Sequence, residues 1–532
     1  MRFIKYLFLS LVLFCAAEEA AETVPLVPNM TTSNHTLSIE ADFVNYVGTN
    51  KYTHASGNVI VVHGNTMLRA ESVTLNPDNK EIHVTNSFIF NRGQQQIYGT
   101  SLTYDYRDNK AEGRDIGISI HNNQIKGQHV TIWDDKIEIL DAYQTTCTNL
   151  QNPCNHITSK RMTIYPEWGN VVNDHAVVYV FFLPVMYVPN SVSDLNGTQD
   201  SAYSAIPQIG RNPVEGYYAK AGWSFYQNEK FNGTWDLHYL SLLGARLGLT
   251  NNYKLDQANR GQIRLHYLTG LGGRISYGLR HQTLLGVPQR NRGQIIDDFF
   301  SGILPPSKDD YPEATLELTS REMVGYQWRS YQPKIGLSSP AYEIPYTGVY
   351  YSLSGYGANI IEESVDTPEL RYLDFVNETQ EYLQYNWEGN LERHFDLGSY
   401  GSIRPWVLYS NSSYNDGAQL SGYWRRWVYN IEYKKSWQVL DFTTGYKYTP
   451  EEEGFSPFNS ETFYAGTSEE NNFGIGWRVL DNFKLNYSQI YSITERAKRD
   501  ETYGAEFLYC HWKIFVNYST YFQQFSFGGR LE

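Results

Sequence analysis

Apolar and polar side chains alternate with a two-residue period along most of residues 201–532. Residues 262–267, for example, read QIRLHY, which puts Ile, Leu and Tyr on one face of a strand and Gln, Arg and His on the other. A face of Arg, His and Gln suits a water-filled lumen better than a packed core, and the apolar face suits lipid. The sequence therefore predicts an all-β chain whose residues 201–532 form a large transmembrane antiparallel β-barrel.

The composition agrees with a barrel. Aromatic residues make up 15% of the 532 residues, yet the mean hydropathy is −0.48. A spanning strand takes about 9–11 residues, so roughly 330 residues predict something over twenty strands. The competing interpretation is a large secreted β-sandwich or β-helix. Such folds bury both faces of many strands, so they would not carry Arg or His at every inward position.

The N-terminus has the pattern of an export signal. Arg2 and Lys5 precede an apolar run at residues 6–14, and Ala17 offers a small residue for cleavage. We predict a signal peptide at residues 1–17 and a short linker at 18–35. The most apolar later stretch, residues 176–189, has 14 uncharged residues interrupted by Pro184 and is too short for a membrane helix. It is interpreted as buried strands.

A repeat occupies the first third of the chain. One pattern recurs at 39–46, 68–75, 97–104, 125–132 and 157–164. It consists of an apolar residue, a small residue two positions later, and then two more apolar residues. A second short strand accompanies it at 57–61, 86–90 and 113–118. Stacked units of this kind align their apolar faces. We predict a β-jellyroll at residues 36–166 and junction strands at 167–200, before the barrel.

The aligned apolar faces form a candidate lipid groove. The alternative is that the same side chains make the ordinary core of a β-sandwich, and the sequence leaves both open. The candidate groove residues are Ile39, Val59, Val61, Leu68, Val73, Phe88, Phe90, Ile97, Leu102, Ile116, Ile125 and Val130.

No motif for catalysis, a metal or a cofactor is found in the sequence. It contains no Gly-rich phosphate loop with Lys, no HExxH and no GxSxG, and its 13 His do not cluster with Cys at zinc spacing. The acidic pairs at 297–298 and 309–310 are interpreted as solvated loops. The net charge of −14 does not favour binding to nucleic acid, which is itself negatively charged. We expect neither an enzyme nor a nucleic-acid partner.

Three cysteines follow the predicted signal peptide: Cys147, Cys154 and Cys510. An exported chain lies in a compartment that permits disulfides. Cys147 could pair locally with Cys154. Alternatively, Cys147 and Cys510 could form a bond that ties the repeat region to the end of the barrel.

The chain resembles the LPS-assembly protein LptD family, also called OstA, over nearly its whole length after the signal peptide. The repeat resembles the OstA-type β-jellyroll. Residues 143–147 (YQTTC), 164–166 (IYP) and 183–189 (LPVMYVP) resemble the family's junction. Residues 206–210 (IPQIG) resemble its first barrel strand, and residues 525–529 (FSFGG) its last strands.

The resemblance implies an outer-membrane protein with its N-terminal domain in the periplasm. The jellyroll would take lipopolysaccharide (LPS) from an LptA-like bridge, and the lipid would leave through a seam between the first and last strands. The candidate seam residues are Pro207, Pro213, Phe525 and Phe527. Proline removes a ladder hydrogen bond, so Pro207 and Pro213 are candidates for weakening the seam. The alternative is that these prolines only start a strand, where proline is tolerated. An LptE-like lipoprotein plug and the barrel-assembly machinery are the other expected partners.

This sequence departs from the family in two ways. Its barrel segment is much shorter, and it has a single C-terminal cysteine, followed by His511. The alternative function is a porin or uptake channel with an N-terminal periplasmic module. The repeat favours the LPS translocon, because a porin has no use for a stacked apolar face.

Overall fold

The structure is a computed structural model. It describes residues 37–531 apart from 48–51, 65, 93–94, 121–122, 134, 148–152, 154, 181, 195–207, 271–272, 302, 325–326, 365–378, 418, 451, 466–467, 510–511 and 522. The predicted signal peptide and linker, and residues Pro207, Cys154 and Cys510, lie outside the described residues.

The first fourteen strands form one antiparallel sheet that folds into two layers. Its main order is β1-β3-β4-β5-β8-β9-β10-β11-β12-β13-β14, with β2 beside β3, and with β6 and β7 bridging β4 to β9. These strands are β1 (Leu37–Glu40), β2 (Phe43–Val47), β3 (Tyr52–His63), β4 (Thr66–Asn76), β5 (Glu81–Val84), β6 (Phe88–Arg92), β7 (Gln95–Gly99), β8 (Ser101–Asp105), β9 (Lys110–Ile120), β10 (Asn123–Ile132), β11 (Ile137–Thr145), β12 (Asn155–Tyr165), β13 (Asn170–Val180) and β14 (Leu183–Asp194).

Kinks in the long strands build the two layers. Asn58, Asp115, Asp141 and His175 have positive φ in the middle of β3, β9, β11 and β13. A residue in this conformation interrupts a strand and bends it, so each half-strand joins a different layer. The small residue of the repeat lies where space is short: at Gly127 an added Cβ would come within 2.2 Å of Cγ2 of Ile139.

The remaining strands close into a barrel in which β15 pairs with β35. Three short strands, β23, β26 and β30, extend hairpins, so eighteen of the described strands form the ring. The strands are β15 (Gln208–Asn212), β16 (Gly216–Asn228), β17 (Phe231–Leu240), β18 (Gly244–Lys254), β19 (Asn259–Leu268), β20 (Arg274–Leu284), β21 (Glu313–Val324), β22 (Gln327–Ser338), β23 (Tyr342–Ile344), β24 (Val349–Ser364), β25 (Gln380–Arg393), β26 (Phe395–Asp396), β27 (Ser402–Asp416), β28 (Gln419–Ser436), β29 (Leu440–Tyr448), β30 (Glu452–Gly454), β31 (Glu469–Leu480), β32 (Phe483–Ser492), β33 (Ala497–Tyr509), β34 (Trp512–Ser519) and β35 (Gln524–Leu531).

The predicted alternation is confirmed in the ring. On β17, Trp235 and Tyr239 are 56% and 62% exposed on the outside, whereas Asp236 and His238 between them are buried. The outside is thus an apolar belt that lipid must cover. The expectation of over twenty spanning strands is wrong. Several strands are longer than the minimum, β28 reaching 18 residues, and two long connections carry helices.

These helices are α1 (Arg292–Phe300), between β20 and β21, and α2 (Asn459–Ala465), between β30 and β31. A 3₁₀ turn lies at Gly398–Tyr400. Among the described residues, no helix has the length and apolar character needed to cross a bilayer.

The two helices lie at opposite ends of the barrel. The connection with α1 contacts the jellyroll, because Arg292 donates to Glu167. The connection with α2 folds into the lumen at the far end, where Glu461 accepts from Arg329 on β22 at 2.6 Å and from Tyr414 on β27 at 2.8 Å. Phe458 of the same connection is fully buried. One helix therefore contacts the jellyroll, and the other narrows the lumen.

Candidate functional site

The candidate groove residues come together inside the jellyroll. Ile39 is half-buried against the cluster, and the other eleven are each at most 2% exposed within one continuous apolar cluster that extends to Val171 on β13. The two layers are packed on each other here, so side chains fill the interior. This arrangement is common to the two interpretations of the repeat, a lipid groove and an ordinary core.

The N-terminal edge of the jellyroll is apolar and exposed. On β2, Phe43 is 74% exposed, Val44 60% and Tyr46 67%. On the described residues β2 pairs with β3 along one side. An apolar edge strand of this kind is a site where another sheet can pair.

The opposite end of the jellyroll interior is covered by a helix of the barrel. Ile296 and Phe299 of α1 are each 4% exposed and belong to the jellyroll's apolar cluster. The side chain of Asn291 caps α1 by accepting from the backbone N–H of Gln294, whose side chain accepts in return from the N–H of Asn291. This capping box and the spacing of Ile296 and Phe299 are the sequence signals that could have located α1.

Two ion pairs hold α1 in place. Arg292 donates to Glu167 at 2.7 Å and to Asp135 at 3.3 Å. The hydrogen bond that Arg292 donates to Glu167 is the main reason that the pKa of Arg292 is raised. Within the helix connection, Arg290 donates to Asp298 at 2.6 Å. The sequence interpretation of the acidic pair at 297–298 as a solvated loop missed this helix.

The last strand of the jellyroll joins the barrel beside its first strand. β15 pairs with β16 only from Gly216 to Lys220. Further along β16, the N–H of Tyr226 donates to Asn190 of β14 at 2.8 Å, and the N–H of Val192 on β14 donates to Ser224 at 3.4 Å. One strand of the barrel thus contacts β15 along one half and the jellyroll along the other.

Among the described residues, the closure of the ring is its shortest ladder. β15 and β35 share three residue pairs, Ile209 with Phe527, Gly210 with Ser526 and Arg211 with Phe525. By comparison, β27 and β28 share fifteen pairs. We call the β15–β35 ladder the seam.

The predicted seam residues have different positions. Phe525 and Phe527 lie on β35 within the seam. Pro213 lies in the turn after β15, beyond the three pairs. Within the described residues, the seam is short because β15 has five residues, Gln208–Asn212.

Cys147 lies just after β11 and is buried. Its N–H donates to Oγ1 of Thr145 at 3.0 Å, and its Sγ lies 3.7 Å from Oδ1 of Asn155. The bond between Cys147 and Cys510 stays a prediction, as does the alternative with Cys154.

Residues 38–217 match the sequence profile of the family described as LptA/(LptD N-terminal domain) LPS transport protein. The LPS-assembly protein LptD of Idiomarina loihiensis is 23% identical over 234 residues, which are 44% of this chain and 30% of that protein. The protein of the same name from Shewanella denitrificans is 21% identical over 248 residues, 44% of this chain and 31% of that protein. The matched region thus spans less than a third of these relatives.

Two solved structures show weaker similarity. LptH, the LptA-homologous periplasmic component of the lipopolysaccharide transport device of Pseudomonas aeruginosa, is 16% identical, with a TM-score of 0.17, over 18% of this chain and 75% of LptH. The outer membrane protein OmpT of Vibrio cholerae is 8% identical, with a TM-score of 0.22, over 61% of this chain and 96% of OmpT. These scores are too low to support an argument.

The closed barrel with its apolar outer belt is an outer-membrane barrel, and the jellyroll lies on its periplasmic side. The sequence profile and the two relatives confirm the predicted resemblance, which the N-terminal part of the chain carries. The chain is therefore similar to the LPS-assembly proteins LptD, and residues 38–217 carry the match to the family profile.

Proposed function

We propose that this protein moves lipopolysaccharide from the periplasm to the outer leaflet of the outer membrane, with the lipid leaving sideways through the seam. The observation that carries the proposal is the position of the seam. Over the described residues it is the shortest ladder of the ring, and it lies one strand away from β16, which contacts β15 along one half and the last strand of the jellyroll along the other. A lipid leaving the jellyroll at β14 would meet the barrel wall where it is easiest to part.

The length of the seam supports an opening there. Parting β15 from β35 breaks three residue pairs, whereas parting β27 from β28 breaks fifteen. Each backbone hydrogen bond contributes about 0.5–1.5 kcal/mol net, and more where no water can replace it. Opening between β27 and β28 would therefore cost several times as much free energy, and the neighbouring β15–β16 ladder also has more pairs, five, over the described residues.

An amphipathic cargo matches the two interiors. The jellyroll interior is apolar along its length, so acyl chains could take the place of contacts between its two layers. Each buried CH₂ contributes about 0.8 kcal/mol, which offsets the cost of separating the layers. The barrel lumen is lined by polar side chains such as Asp236 and His266, which suit sugars.

The exposed edge at β2 suits an LptA-like bridge. A partner sheet pairing there would cover Phe43, Val44 and Tyr46 and would continue the apolar interior into the partner. The lipoprotein plug and the barrel-assembly machinery remain predictions from the family resemblance.

A disulfide lock tests the proposal. Cysteines replacing Arg211 and Phe525, which face each other across the seam, should form a bond under oxidant and stop delivery of lipopolysaccharide to the surface of cells that depend on this protein. Reductant should restore delivery. The matched control replaces Leu391 and Val407, which face each other on β25 and β27.

Delivery that continues with the seam bond formed, while the control behaves identically, would contradict the lateral route. In that case small hydrophilic solutes should be tested for passage through the same locked barrel, because the porin alternative requires no seam opening.

A further inference from the structure

A cavity of about 250 Å³ lies in the inner wall of the barrel, at the end away from the jellyroll. It is bounded by the far ends of β17 to β22 and by the turn at Leu243. At about 30 Å³ per water molecule, this volume holds about eight waters, comparable with one sugar ring carrying a charged group. Four arginines line it, in a chain whose net charge is −14: Arg246, Arg264, Arg274 and Arg321.

The carboxylates nearby do not match these arginines one to one. Glu322 is bound by Arg264. Glu363 is shared, since it lies 3.7 Å from Arg274 and 3.5 Å from Arg321. Both shared distances are long for a charge-assisted hydrogen bond. A third carboxylate at the margin, Glu215, is held by Lys220 at 2.7 Å.

Arg246 is positioned by a histidine. It donates to Nδ1 of His266 at 2.9 Å, and Nε2 of His266 lies 3.0 Å from Oδ2 of Asp236. For both contacts to be hydrogen bonds, Nε2 must carry the proton and Nδ1 must accept, which is the neutral form of the ring. These contacts orient Arg246, and the imidazole of His266 separates Arg246 from the carboxylate of Asp236.

Two buried donors in the cavity wall have no acceptor among the described residues. The indole Nε1 of Trp328 is one, in a side chain that is 92% buried, and Nε of Arg264 is the other. Buried N–H groups in proteins nearly always have a partner. These two donors, beside arginines that share their carboxylates, would be satisfied by a ligand that supplies acceptor oxygens.

The floor of the cavity is apolar. Leu240, Leu243 and Leu268 are at most 6% exposed and pack with Trp328 in one cluster. A bare inorganic anion gains nothing from such a floor. A sugar ring has an apolar C–H face that can lie on it while an attached anionic group reaches the arginines.

We propose that this cavity binds a sugar that carries a phosphate or carboxylate group. The inference rests on the proposed function, since such a sugar would be the anionic part of the lipopolysaccharide crossing the lumen. The cavity would hold that group while the lipid part leaves through the seam, a binding step inside the barrel rather than free diffusion through it.

Calorimetric titration of the full-length protein in detergent tests the site. Glucose 1-phosphate and glucuronate should bind, whereas glucose and inorganic phosphate should bind at least about tenfold more weakly. Arg246→Gln should weaken the binding of glucose 1-phosphate by at least about tenfold, because it removes a charge-assisted contact. Trp328→Phe keeps the ring and removes only the donor, and should weaken binding about two- to tenfold.

The matched control is Arg260→Gln, which changes an arginine of β19 at the other end of the barrel, 3.9 Å from Glu313 and outside the cavity. It should leave binding unchanged. Absence of binding to the unsubstituted protein, equal binding by Arg246→Gln and Arg260→Gln, or equal affinity for inorganic phosphate would each overturn the proposal. Heat-dependent gel mobility shows whether each variant has a folded barrel. If Arg246→Gln does not fold, the conservative Trp328→Phe still tests the site.

This titration is independent of transport. If the sugars bind as predicted but the seam-locked protein still delivers lipopolysaccharide, the sugar site is supported and the proposed function is contradicted. Blocked delivery without sugar binding would give the reverse result.

Discussion

Arg292 of helix α1 donates to the carboxylate of Glu167 across 2.7 Å, and this contact joins a periplasmic connection of the barrel to the end of the jellyroll. The pair is exposed on the arginine side, so alone it contributes little to stability. Its role is to hold α1 while Ile296 and Phe299 cover the apolar interior of the jellyroll. The attachment of the two domains therefore rests mainly on apolar contact.

Replacing Ile296 and Phe299 by alanine should release α1. Buried large-to-small changes of this kind cost roughly 2–5 kcal/mol each. We expect residues 285–312 to become sensitive to limited proteolysis while the barrel keeps its heat-dependent gel mobility. Ile303→Ala is the control, since Ile303 lies in the same connection and is 53% exposed. Equal protease resistance of the double variant and the control would show that α1 is not held by these contacts.

Mild acid should loosen the jellyroll at β12. His156 is stacked between Tyr143 and Tyr179, with ring centroids 4.9 and 4.5 Å away, and burial lowers its pKa below the ordinary 6.5. Below pH 6.5 the unfolded chain then binds more protons than the folded chain. The stability that depends on neutral His156 is fully present above about pH 6.5 and is lost as the pH falls through its lowered pKa.

Hydrogen–deuterium exchange of β12, corrected for intrinsic rates, measures this effect between about pH 7.5 and pH 5. His156→Phe keeps a ring in the stack and should remove the pH dependence. His129→Phe, at an exposed position on β10, should retain it. A pH dependence that persists in His156→Phe would assign it to another group.

Cys510→Ser should change migration on a non-reducing gel if Cys510 forms a bond with Cys147. Closing a loop of more than 360 residues would contribute over ~4 kcal/mol on the chain-entropy model. Cys154→Ser serves as the comparison, because it should alter migration only under the local pairing. Identical mobility of the unsubstituted protein with and without reductant would exclude the interdomain bond.

Phe458→Ala should release α2 from the inner wall and widen the lumen. Phe458 is fully buried and lies edge-on to Tyr382 and Tyr414, so its loss costs about 3–5 kcal/mol locally. Single-channel conductance in a planar bilayer should rise. Phe455→Ala, at a position 72% exposed in the same connection, is expected to conduct like the unsubstituted protein. An unchanged conductance for Phe458→Ala would mean that α2 does not limit the pore.

The barrel was predictable because its signal is local. Each strand repeats the two-residue alternation, and the structure places Ile263, Leu265 and Tyr267 outside and His266 inside, as residues 262–267 predict. The jellyroll interior was predictable for the same reason. Every candidate groove residue lies in or against one cluster.

The features that the sequence did not reveal depend on contacts between distant segments. α1 has a capping box, but its position against the jellyroll depends on a surface that residues 132–171 form elsewhere. The cavity arginines come from four neighbouring strands, β18 to β21, and their meeting at one end of the inner face depends on the register of those strands. The length of the seam depends on where β15 meets β35, about 320 residues later in the chain.

In-cell photocrosslinking tests the central claim most directly. A photoreactive phenylalanine analogue at Phe88, which is 2% exposed inside the jellyroll, is compared with the same probe at Asn79, in an exposed turn. The proposed route predicts a lipopolysaccharide adduct at position 88 alone, dependent on the cell's energy supply. No adduct at position 88 or its interior neighbours, in a protein folded in the outer membrane, would contradict the route and make the interior an ordinary core.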